Sequence, residues 1–143
     1  MKNILITGSK GFLGSSFTKY YNNKGYNIYG IGNGKITLEE QRKLGLYHWK
    51  QENINIESIK DFNTIFDVII HCAGSGSVGF SEKNPLISFR KSVESSLQVL
   101  EFIRLYNPNA HLIFPSSPAS QGEHEDLPIK ESYVGYPISH YGF

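Results

Sequence analysis

The stretch Thr7-Gly8-Ser9-Lys10-Gly11-Phe12-Leu13-Gly14 stands directly behind an apolar run, Ile4-Leu5-Ile6, at the start of the chain. It reads as a turn between a buried strand and a helix, built to grip phosphate. Of the three regularly spaced glycines, one makes the turn, one lets backbone approach a pyrophosphate, and one lets the helix pack close on the strand. The helix that follows points its N–H groups and positive dipole end at the phosphates. Two residues separate the first two glycines, so this is the wide form and not the tighter G-x-G-x-x-G fingerprint.

Further apolar runs of strand length recur at Asn3–Ile6, Tyr26–Ile31, Tyr47–Trp49, Asp67–Cys72 and His111–Pro115, with helical patterns between them. That alternation predicts a parallel sheet with crossover helices. Behind the glycine turn, Phe12, Ser16, Phe17, Tyr20 and Tyr21 keep helical spacing until Lys24-Gly25 stops the run. Asn84 as cap and Pro85 at the first helical position open the longest helix. Its expected apolar face is Leu86, Phe89, Val93, Leu97, Leu100 and Ile103, ending at Asn107-Pro108. Thr37–Leu44 and Ile56–Phe62 read as shorter helices. A polar loop, Gln121–Ser132, follows the fifth strand, and no further strand completes a six- or seven-stranded sheet.

At 143 residues and 39% hydrophobic content, the chain suits one domain with a real core. Fourteen Lys and Arg against thirteen Asp and Glu leave a net charge of +1, which argues against nucleic acid or an anionic membrane as partner. Cys72 is the single cysteine, so no internal disulfide forms. The N-terminus lacks the apolar core of a signal peptide, and no run approaches the roughly 20 residues that span a bilayer. The expected compartment is the cytoplasm.

Four motifs stand in order: Thr7 to Gly14; Asp67-Val68-Ile69-Ile70-His71-Cys72-Ala73-Gly74; Phe114-Pro115-Ser116-Ser117-Pro118-Ala119-Ser120-Gln121-Gly122; and Pro137-Ile138-Ser139-His140-Tyr141-Gly142. Together they resemble the extended short-chain dehydrogenase/reductase family, the nucleotide-sugar epimerases and dehydratases. The resemblance covers the whole chain but only the N-terminal part of such an enzyme. It implies a Rossmann-type, doubly wound parallel sheet in three αβα layers, cut after about five strands, with the C-terminal substrate domain absent.

By that resemblance, Gly8, Gly11 and Gly14 hold the pyrophosphate of NAD or NADP, and Phe12 and Leu13 donate backbone N–H groups. Ala73 and Gly74 pass beside the adenosine ribose and the nicotinamide half. Ser117 bonds the reacting oxygen of a nucleotide-sugar substrate, and Tyr141 moves its proton while hydride passes to or from nicotinamide. A free tyrosine with a pKa of about 10 is a poor base at neutral pH without a nearby cation. The family supplies one as a lysine four residues on, which falls at position 145, beyond Phe143. The resemblance also implies a homodimer through the Pro85–Leu105 helix and a second helix beginning near Tyr141.

Three departures from the family pattern bear on the cofactor. Where NAD users place an acid after the second strand, this chain has Ile31-Gly32-Asn33-Gly34-Lys35. Without that carboxylate a 2′-phosphate is not repelled and Lys35 is placed to reach one, which leans toward NADP; Asn33 serves a plain ribose equally. Ser92 replaces a helix asparagine, and Asn53 replaces an aspartate that contacts adenine.

Competing readings exist for several of these residues. Gly74-Ser75-Gly76-Ser77-Val78-Gly79 matches G-x-G-x-x-G, but the helix expected to follow starts only at Asn84-Pro85, so a flexible loop over nicotinamide and sugar fits better. A P-loop fails because Lys10 lies between the glycines. Ser116 competes with Ser117. His48, His71, His111, His124 and His140 lack metal-ligand spacing and read as strand or surface histidines, and no metal is expected. Glu123-His124-Glu125-Asp126 reads as a solvated loop, and Cys72 as core. The alternative to an enzyme is a non-catalytic dinucleotide-binding module, a redox sensor or degenerate paralogue. A chain cut short of its full length accounts for the missing lysine, and in either case the expectation for these residues alone is negligible turnover.

Overall fold

The computed structural model describes residues 2–123 and 128–142. The solvated-loop reading lies, from His124 onward, outside the described residues. Five parallel strands form one sheet: β1 (Asn3–Thr7), β2 (Asn27–Gly32), β3 (His48–Gln51), β4 (Val68–His71) and β5 (His111–Ile113), in the order β3-β2-β1-β4-β5. Each expected strand is present, shifted by one or two residues at its ends.

Side chains alternate across the sheet. Ile4, Ile6, Ile28 and Ile70 face one way and pack with Leu46, Phe17 and Tyr21. Leu5, Tyr29, Ile31 and Ile69 face the other way, onto Ile59, Phe62, Phe66, Val99 and Phe102. Both faces are therefore buried, as the continuous apolar runs require of a parallel sheet. The helices α1 (Phe12–Asn22) and α2 (Leu38–Leu44) cover the first face, and α3 (Ile56–Lys60) with the long helix covers the second. This is a Rossmann-type three-layer arrangement.

Local chemistry sets the boundaries. Thr37 and Glu40 form a reciprocal capping box that opens α2, and Gly45 closes it in the left-handed conformation at φ 77°. Asn55 and Ser58 do the same for α3, which ends at Lys60, short of the expected Phe62.

Four expectations need correction. The Gly74–Gly79 stretch leads into a short helix, α4 (Val78–Lys83), because the Ser77 hydroxyl accepts from the Phe80 N–H and caps it. Asn84 then precedes α5 (Pro85–Phe89) without capping it; its side-chain amide donates instead to the Phe80 carbonyl. The long helix continues through a π turn, Arg90–Glu94, into α6 (Ser95–Tyr106). Its core face is Ser88, Ser95, Val99 and Phe102, while Leu86, Phe89, Val93, Leu97 and Leu100 are exposed. Likewise α1 buries Gly14 and Thr18 and exposes Phe12 and Tyr20. No helix among the described residues is long and apolar enough to cross a membrane.

Candidate functional site: a groove across the carboxyl ends of the strands

The strand order reverses between β1 and β4, and a groove opens there above the carboxyl ends of the strands. At its floor, Gly8 leaves β1 at φ 66° and donates its N–H to the Ile31 carbonyl at 2.8 Å. A Cβ on Gly8 would stand 2.9 Å from the Ala73 nitrogen. The Gly11 N–H folds back to the Gly8 carbonyl at 2.8 Å. Gly14, one turn into α1, lies so close to the Gly8 carbonyl that a Cβ would overlap it. The glycine spacing thus reflects a helix pressed onto its own entry turn. Gly11 caps α1 with no side chain bonded to it, so the first-turn N–H groups of Phe12 and Leu13 need another acceptor.

The groove has two clefts that share Cys72, Ala73 and Gly74. The smaller, about 630 Å³, is lined by Gly8, Lys10, Gly11, Asn33, Trp49 and Asn53, among others. The larger, about 870 Å³, is lined by Leu13, His71, Ser75, Ser117 and Tyr141, among others. Most of the expected binding residues therefore converge, although they come from well-separated parts of the chain. Three do not line either cleft: Gly14 is buried beneath the turn, the Phe12 ring is exposed, and so is Lys35. Lys10 lines the smaller cleft beside that segment. Its Nζ donates to the Lys35 carbonyl at 2.5 Å, and its stem lies against Gly34.

At the far end, the Ser117 hydroxyl accepts from the Ala119 N–H at 3.2 Å and caps the 3-10 turn Pro118–Ser120. Ser116 is exposed and lines the same cleft. The tail returns over this segment: Tyr136 N–H donates to the Gln121 carbonyl, and Gly142 packs directly on the Ala119 carbonyl. That return brings Tyr141 to the wall that carries Ser117. Tyr141 lies in a turn, closed by Gly142 N–H to the Ser139 carbonyl at 3.0 Å.

Burial tunes two further groups. It lowers the His71 pKa to about 4, so the ring is neutral at physiological pH, and it pushes the Cys72 thiol up to about 11. Cys72 is half-buried against the sheet core, as expected. His71 is a groove residue that spacing alone does not reveal, since only the register pairing Thr7 with His71 brings the two together.

A dinucleotide fits the residues present. The entry of α1 presents N–H groups with no side-chain cap, and the Ser75 hydroxyl is buried at the larger cleft without a hydrogen-bond partner among the described residues.

Comparison with known proteins agrees. UDP-glucose 4-epimerase of Yersinia enterocolitica is 30% identical over 97% of this chain and 44% of its own length. Protein CapI of Staphylococcus aureus is 26% identical over 96% of this chain and 45% of its length. The UDP-Glc/GlcNAc 4-epimerase structure from Campylobacter jejuni superposes with a TM-score of 0.87 at 25% identity, covering 99% of this chain and 45% of that one. The UDP-glucose 4-epimerase of Bifidobacterium longum, in complex with NAD+ and UDP, gives 0.86 at 26% identity, covering 99% and 45%. The chain thus spans about half the length of the curated relatives it matches. Residues 4–143 match a single family throughout, and with the glycine cradle and the groove at the switch point this places the chain in the NAD-dependent epimerase/dehydratase family.

Proposed function

We propose that these residues form the dinucleotide-binding half of an NAD-dependent nucleotide-sugar epimerase or dehydratase. The observation that carries this reading is the continuous groove, with the glycine cradle at one end and Ser117 and Tyr141 at the other. Gly8, Gly11 and the first N–H groups of α1 hold the pyrophosphate, Asn33 and Asn53 the adenosine end, and Ala73 and Gly74 the span between. NAD, when bound, supplies a hydride acceptor and donor for a sugar carbon. Ser117 orients the reacting hydroxyl, and the Tyr141 oxygen takes its proton and later returns it. Leu13, Phe114 and Pro115 give the larger cleft apolar walls at that end.

In the whole protein, a substrate domain grips the nucleotide and selects the sugar, and a cation beside Tyr141 assists its proton transfer. Two copies pair through Leu86, Phe89, Val93, Leu97 and Leu100, the helix face that this fold leaves exposed.

Calorimetric titration of the 143-residue chain with NAD and NADP tests the reading. Saturable binding of NAD is expected, with no epimerase turnover on UDP-sugars by this polypeptide alone. Failure of both dinucleotides to bind would sink the proposal, while preference for NADP would transfer the adenosine-end role to Lys10.

A further inference from the structure

His71 ends β4 almost wholly buried, yet both ring nitrogens are engaged. Nδ1 lies 2.6 Å from Thr7 Oγ1, and Nε2 lies 3.0 Å from Ser96 Oγ. The two ends of this hydrogen-bond chain are backbone groups whose roles cannot change. The Ala73 N–H donates to Thr7 Oγ1 at 3.2 Å, and the Ser92 carbonyl accepts from Ser96 Oγ at 2.6 Å. With its proton committed to Ser92, the Ser96 oxygen accepts from His71, so Nε2 carries the ring proton. Nδ1 of the neutral ring then accepts from the Thr7 hydroxyl.

The same ring ties together the elements that meet at the groove. Its face stacks on Phe114, with centroids 5.5 Å apart and planes at 20°, just before the wall that carries Ser117. The π turn sets Ser92 so that its hydroxyl accepts from the Ser75 N–H at 3.0 Å. The backbone from Ala73 to Ser75, where the two clefts join, is thus held at one end through Thr7 and at the other through Ser92. His71 connects both anchors.

We propose that His71 is a positioning residue for dinucleotide binding: its Nε2–H tautomer, held between Thr7 and Ser96, locks the Ala73–Ser75 backbone into the shape the cofactor meets. This rests on the reading of the groove as an NAD site. A binding surface made of backbone has no side chain to readjust, so its affinity depends on the shell that supports it.

Two measurements on the full chain test this. Long-range nitrogen–proton NMR of the imidazoles is expected to show His71 as the Nε2–H tautomer. Thr7→Val and Ser96→Ala are each expected to weaken NAD binding about five- to tenfold, the scale of one lost buried hydrogen bond, with Thr7→Ser and Ser96→Thr restoring it to within about twofold. Ser96 is only half-buried and supplies a folded variant should Thr7→Val prove unstable. An Nδ1–H tautomer, or variants that lose stability while binding NAD as the parent does, overturns the proposal. A parent chain that binds no NAD removes the groove reading and this one together, whereas a binding parent with indifferent variants removes this one alone.

Discussion

Gly14 and His71 show how much rests on single atoms. A methyl group on Gly14 would overlap the Gly8 carbonyl, so the entry turn and α1 must separate to admit it. Gly14→Ala is expected to cost about 1–3 kcal/mol by overpacking and to abolish NAD binding, as denaturant melts and calorimetry would show. His71 carries a pH signature. Its folded pKa of about 4 lies below the ordinary 6.5, so as pH falls through 6.5 the unfolded chain takes up a proton that the native chain refuses. Stability from this group is therefore full above pH 6.5, declines between 6.5 and 4, and is flat below; the loss is about 3 kcal/mol at 1.36 kcal/mol per unit. Following the His71 resonances with pH checks this, since titration near 6.5 in the native chain would refute it. The glycines were legible because their spacing is local. His71 was not, because its partners come from β1 and α6, distant in sequence.

Elements were legible where their signals were local, and less so where contacts decided. The capping box at Thr37 and Glu40 announces α2 in four residues. The short helix α4 has no apolar period, and only the Ser77 cap marks its start. On the long helix, periodicity identified an apolar stripe, but the sheet packs on a different one, where Ser88 and Ser95 let the helix lie close beside Val99 and Phe102. A helix with two apolar faces has a second surface to cover. Leu97→Glu is accordingly expected to shift any dimer to monomer in sedimentation experiments while leaving the melting temperature of the monomer nearly unchanged; a parent that is monomeric at all concentrations would remove the pairing. The far end of this helix is closed by Asn107, whose buried side chain bonds the Phe66 N–H at 2.8 Å and the Phe66 carbonyl at 2.9 Å. Asn107→Ala strands both groups and is expected to cost about 2–4 kcal/mol in denaturant melts.

Across the whole molecule, the parallel sheet collects residues that are far apart in sequence along one edge. Gly8, Asn33, Ala73 and Ser117 all follow strands at their carboxyl ends, so the groove follows from topology as much as from any motif. If NAD binds this groove and not the unfolded chain, saturation at a hundredfold excess over Kd is expected to stabilise the fold by about 2.7 kcal/mol, read as a rise in melting temperature. An unchanged melt with NAD would contradict the assignment. The fold class, the strands and the glycine cradle were written in local pattern: apolar runs at strand length, helical spacing between them, and glycines where backbone must approach backbone. The contact of Lys10 with the Lys35 carbonyl, the buried face of the long helix, the His71 linkage and the meeting of Tyr141 with the Ser117 wall were settled only by the tertiary structure. Each depends on which side chains the folded sheet and helices bring within a few ångströms, and a linear pattern carries no record of that.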